Sequence, residues 1–205
     1  MKPCGELDRL RAWLVKWGLP TEALEGQHFQ RLRFLNEVES RFDEIIEQEL
    51  GRPLDWRQLR LELGIELPTT HPWWHVAQLA AEGLVSQGFG AAEVERAGQL
   101  WGDFILLTGK SLSPLQAAEG WAAGLDYLVR RLTFKGTTHQ AHVGRRYGVS
   151  ASTVSMRFRA LVETLGVVIF DHPARKRLHA LRVLLVESGR LSEGEFHARV
   201  LMGEL

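Results

Sequence analysis

Apolar positions along this chain recur at three- and four-residue intervals, the period of helices that bury one face. Leu7, Leu10, Leu14 and Trp17 mark a first helix that Gly18-Leu19-Pro20 breaks, and 21–25 reads as one turn. A long amphipathic helix is expected over 28–50, with Phe29, Leu32, Leu35, Phe42, Ile45 and Ile46 inward and Gly51-Arg52-Pro53 at its end. A shorter helix follows over 54–63. Residues 64–72, GIELPTTHP, carry two prolines and two threonines and read as a linker. Beyond it the spacing predicts helices over about 73–87, 91–107, 114–132, 138–147 and 150–165, with Gly88, Gly109, Gly136 and Gly148 between them or at their ends. The third is the most apolar, opening at Pro114-Leu115 and continuing through Ala117, Ala118, Trp121, Ala122, Leu125, Leu128 and Val129. Its small residues allow close packing, so it reads as a central helix. Residues 167–172, VVIFDH, have the composition of a short strand, although one run cannot make a two-stranded wing. Pro173 suits the first position of a helix to about 188, and a last helix runs over 193–201.

The segment Thr137 to Gly166, TTHQAHVGRRYGVSASTVSMRFRALVETLG, has the order of a helix-turn-helix. Gly148 permits the tight end of a first helix, Val149 fills the corner, and Ser150 caps a second helix. On that second helix Val154, Phe158, Leu161 and Leu165 share one face and must pack inward. The other face carries Ser152, Met156, Arg159 and Glu163, flanked by Thr153, Ser155 and Arg157. The N-terminal part of such a helix reaches base edges in the major groove, which makes Ser152, Thr153, Ser155 and Met156 the base-reading candidates. Arg145, Arg146, Arg157 and Arg159 suit phosphates, as do Thr138 and Gln140 at the first helix's N-terminus. Arg175, Lys176 and Arg177 are candidates for flanking backbone.

Charge supports this placement. The 205 residues carry 25 Lys+Arg and 25 Asp+Glu, a formal net charge of zero, which taken alone argues against nucleic acid. Between Arg130 and Arg182, however, eleven Lys and Arg face only Glu163 and Asp171, a local excess of nine positive charges coincident with the motif. The remainder, including the N-terminal helices, is correspondingly acidic and suited to a protein partner.

The Ala-rich helix AAEGWAAGLDYLVRRL followed by THQAHVGRRYGVSASTVSMRFRALVETL resembles a cyclin-type repeat of the transcription factor IIB family over about residues 73–166. The resemblance implies a five-helix core whose last two helices form a DNA-reading helix-turn-helix, and it aligns Ser152 and Ser155 with the family's base-contacting positions. Both are small here, which implies weak direct readout. One cysteine, Cys4, cannot build the family's N-terminal zinc ribbon, and no first repeat is visible. A bacterial regulator on the same core is therefore expected rather than the family's role in initiation. ALRVLLVESGRLSEGEFHARVLMGEL resembles a short C-terminal helix-pair module of bacterial proteins, which implies self-association as a homodimer.

The expected architecture is all-α, in three parts: an acidic N-terminal helical region (1–66), a cyclin-like helix-turn-helix domain (73–166) and a C-terminal helix pair (167–205). The expected function is DNA-binding transcription regulation on double-stranded DNA. The alternative is a helical protein-protein adaptor that does not bind DNA. Nothing in the chain suggests an enzyme: it lacks a G-x-S-x-G, a phosphate loop and a dinucleotide fingerprint. His71 and His75 lie four apart, but the Glu of H-E-x-x-H is missing and Pro72 starts the helix after His71, so no metal or other cofactor is expected. The chain's start has no apolar signal segment, and no run reaches the roughly 18 apolar residues of a membrane span. A cytoplasmic, nucleoid-associated location without membrane contact is the corresponding expectation.

Overall fold

In the computed structural model of the chain, which describes residues 5–109, 118–135 and 139–205, the helical periodicity is realised as ten α-helices. They are α1 (Glu6–Trp17), α2 (His28–Leu50), α3 (Trp56–Glu62), α4 (His75–Val85), α5 (Ala91–Thr108), α6 (Ala118–Thr133), α7 (Gln140–Arg146), α8 (Ala151–Leu165), α9 (Pro173–Arg182) and α10 (Glu193–Leu201). Short 3₁₀ turns occupy Glu22–Leu24 and Pro72–Trp74, and a π turn, Val183–Glu187, continues α9. The described residues contain no strand. None of their helices is long and apolar enough to cross a membrane.

The chain divides into two compact units, one of residues through Ile65 joined by Phe170–Leu205 and one of Glu66–Ile169. The C-terminal helices therefore fold with the N-terminal ones instead of standing apart as a third segment. In the first unit, α2 packs against α9 and α1 against α3. Leu10, Trp13, Leu14, Leu32, Leu35, Phe42, Ile46, Leu59, Ala180 and Leu184 fill its interior. Phe29, expected inward, is 49% exposed because it lies in the first turn of α2, ahead of the buried stretch. Two polar ties hold the ends of the chain into this unit. Lys176 on α9 is only 4% exposed and pairs with Asp43 and Glu44 of α2. Glu49 accepts from the indole N–H groups of Trp13 and Trp17 and from Lys16, while Arg190 lies over the Trp17 ring.

In the second unit α6 is the central helix, touching α4, α5, α7 and α8. Its core is a run of ring contacts, Trp73 on Trp101, Trp101 on Phe104, and both Trp101 and Phe104 on Trp121, surrounded by Val76, Leu84, Leu100, Leu125, Leu128 and Leu161. The stretch expected as a linker joins this core: Leu67 and Pro68 lie against Gly102 of α5. The run 167–170 is irregular. The described residues offer it no second strand, and Val167 and Ile169 instead pack on the five-helix core.

Candidate nucleic-acid interface

The corner between α7 and α8 is fixed by the backbone before any functional side chain is placed. Tyr147 ends α7, and Gly148 takes φ +66°, a left-handed conformation that side-chain-bearing residues rarely adopt. The Val149 N–H then donates to the Gly144 carbonyl at 2.9 Å. Ser150 caps α8, its hydroxyl accepting from the Thr153 N–H at 3.1 Å. Gly144 is required by proximity: a β-carbon there would lie 2.6 Å from the Val149 carbonyl oxygen. Val149, Tyr147 and Phe158 close over a small core of Ala123, Tyr127, Val143 and Val154, with the Tyr127 and Phe158 rings edge to face at 4.9 Å. The corner is thereby anchored on α6.

Helix α8 crosses α6 at Gly124. A β-carbon at Gly124 would meet the Arg157 β-carbon at 2.7 Å and the Phe158 nitrogen at 3.1 Å, so the backbones approach as closely as glycine allows. Val154, Leu161 and Leu165 are fully buried and Phe158 half-buried, the face the periodicity predicts. Ser152, Met156, Arg159 and Glu163 face solvent, and with Ser155 and Ala160 they line one shallow open groove. Ser152, Ser155 and Met156 thus come together as expected. Thr153 does not stand with them in the same way. It is half-buried, and its hydroxyl, like that of Ser152, is within 3 Å of the Ser150 hydroxyl at the cap.

The basic residues separate into exposed and committed groups. Arg145 and Arg159 are exposed and form no ion pair with any described residue. Arg146, read from sequence as a phosphate ligand, instead bonds Asp126 of α6 at 3.2 Å, with its side chain 23% exposed. Arg157 is turned against α6, its guanidinium 4.4 Å from the centre of the Trp121 ring and its Nε buried without a hydrogen-bond partner among the described residues. Lys135 pairs with Glu93. Arg175 and Arg177 are exposed, but they lie on α9 in the other unit, and Lys176 between them is buried in its ion pairs with α2. Lys176 is therefore removed from the phosphate set, because its ammonium is held by two carboxylates. Gln140 is the half-buried first residue of α7, and Thr138 lies outside the described residues.

Asp126 is the residue at this corner that sequence reasoning missed. Its side chain has no exposed surface, and its carboxylate accepts from Arg130, from Arg146 and, at 2.9 Å, from the Tyr147 hydroxyl. Burial, with the Asp126 charge and hydrogen bond next in weight, pushes the Tyr147 phenol far above its ordinary value of 10. Gly83 of α4 makes room, since a β-carbon there would strike the Tyr147 hydroxyl. One carboxylate thus ties the end of α7 to α6 beside α4. The sequence did carry a signal. Asp126 and Arg130 are four apart on α6, among Leu125, Leu128 and Val129, a spacing that pairs charges on one helix face.

His71 and His75 make local bonds at the start of α4, to the Trp73 N–H and the Pro72 carbonyl. Among the described residues no group of three or more His, Cys, Asp or Glu could hold a metal ion. No protein-family model, curated protein or solved structure matches the chain.

Proposed function

We propose that this protein is a DNA-binding transcriptional regulator that lays α8 in the major groove, on a cyclin-like five-helix core. The observation that carries the reading is the outward face of α8. Ser152, Met156 and Arg159 face solvent, with the half-buried Ser155 in the same groove, while the opposite face is locked onto α6 through Val154, Phe158 and Leu161. A helix about 22 Å long and 10–12 Å across fits a groove about 12 Å wide. Arg145 at the end of α7 and Arg159 on α8 supply phosphate contacts on the two helices of the motif.

The committed state of Arg146 and Lys135 makes the electrostatic footprint smaller than the sequence count implies. Two to three phosphates neutralised per protomer give a salt slope of roughly −2 to −3 in log affinity against log salt. A protein of this kind gains affinity by acting as a two-fold dimer on paired half-sites, in a cytoplasmic, nucleoid-associated setting.

The test is fluorescence anisotropy with duplex DNA across a salt series. Arg145→Ala/Arg159→Ala is expected to flatten the slope by about two, because each removes one phosphate contact. An unchanged slope would place the DNA contact elsewhere. Absence of binding at low salt would favour the protein-protein adaptor instead.

A further inference from the structure

The outward face of α8 holds one large apolar side chain among polar ones. Met156 is 54% exposed, although its neighbours Val154 and Phe158 are drawn into the core. A single exposed apolar residue is ordinary on a protein surface; its position here is not. Met156 is the sixth residue of α8, in the N-terminal half, and shares its groove with Ser152 and Ser155 on one side and Arg159 one turn on. The other groups offered to a base edge are weak or engaged. The Ser152 hydroxyl bonds Ser150 at 2.8 Å, and Ser155 is short and half-buried. Met156 therefore reaches furthest from the helix among the four candidates, on a flexible, polarisable stem that adapts to the surface it meets.

Within a major groove, one group on a base edge rewards an apolar contact, the C5-methyl of thymine. We infer that Met156 is the specificity-determining residue of this interface and reads a pyrimidine C5-methyl group. Arg159 beside it holds the backbone. The inference rests on the DNA-binding reading above and names the chemical class the site selects: duplexes with thymine at a fixed position under α8. The same methyl stands on 5-methylcytosine, so that base is the second source of the chemistry.

The experiment starts from duplexes retained by the full chain out of a random double-stranded pool. Thymines of the recovered site are replaced one at a time by deoxyuridine, which removes only the methyl, and binding is compared for wild type and Met156→Ala. Wild type is expected to lose about fourfold at one thymine position, the value of one methyl group taken out of water. Met156→Ala is expected to bind the thymine and deoxyuridine duplexes alike. Placing 5-methylcytosine there, against cytosine, should restore the preference for wild type only; restoration would assign the readout to the methyl group itself, and its absence would restrict it to thymine. Wild-type indifference to deoxyuridine at every position, or an equal loss in Met156→Ala, would overturn the assignment while leaving DNA binding intact. Failure of wild type to retain any duplex would overturn the underlying reading as well.

Discussion

Asp126 is the residue on which the geometry of the corner depends most. It is fully buried, it faces Arg130, which is 1% exposed, and it also receives Arg146 and Tyr147. Removing one member of a buried pair leaves the other charge uncompensated, at a cost of about 3–5 kcal/mol. Asp126→Ala is therefore expected to lose most of the stability of the unit formed by Glu66–Ile169, read by denaturant unfolding; a loss within experimental error would mean that Arg130 is solvated in a way this geometry does not allow. The buried apolar residues of α8 could be read from the sequence, because a 3.6-residue period leaves Val154, Leu161 and Leu165 nowhere else to go. The charged residues could not. Arg146, Arg157 and Lys176 look like solvated cations until the chain brings Asp126, Trp121 and Asp43 beside them. Charge counts along a sequence carry no information about partners distant in the chain, such as Asp43 and Lys176.

At the scale of elements, the close crossing of α6 and α8 sets the direction in which the outward face points. Gly124→Ala would push a β-carbon to within 2.7 Å of Arg157 and 3.1 Å of backbone. Overpacking of this kind costs typically about 1–3 kcal/mol, and because α8 must shift to relieve it, the DNA affinity proposed for α8 should fall along with stability. Unaltered unfolding in Gly124→Ala would show that the crossing is looser than the distances imply. Helix positions were the most legible part of the fold, since α2, α8 and α10 lie where Gly, Pro and Ser signals bracket periodic runs. The requirement for Gly124 was not legible, because composition alone showed only that α6 is rich in small residues. The apolar run after α8 had a strand's composition, yet a strand needs a neighbour and the chain provides none among the described residues.

At the scale of the whole molecule, the chain's two ends form one unit, and a histidine sits within it. His179 on α9 packs beside the Phe170 ring at 5.2 Å, with Nε2 buried and without a hydrogen-bond partner among the described residues. Burial foremost, then the positive charge of Arg41, holds its proton affinity below the ordinary histidine value of 6.5; Arg182 adds to that effect and Glu187 opposes it. The unfolded chain binds the proton more readily, so this contribution to stability is present above about pH 6.5 and is lost as pH falls through the depressed value. Stability of this unit should therefore decline on mild acidification, and His179→Leu should flatten that part of the profile; an identical profile in the variant would assign the acid sensitivity elsewhere. The joining of the two ends was invisible in the sequence, where 167–205 reads as a separate helix pair, because the ion pairs that secure α9 connect residues more than 130 positions apart.

Everything proposed for α8 depends on its outward face reading duplex DNA. The most direct test is retention of random double-stranded DNA by the full chain at two salt concentrations, with sequencing of what is retained. A helix seated in the groove should enrich a motif containing a fixed thymine, with affinity that falls at higher salt along a shallow slope of roughly −2 to −3 per protomer. No retention at low salt would contradict it and leave the helical adaptor as the better description of this fold.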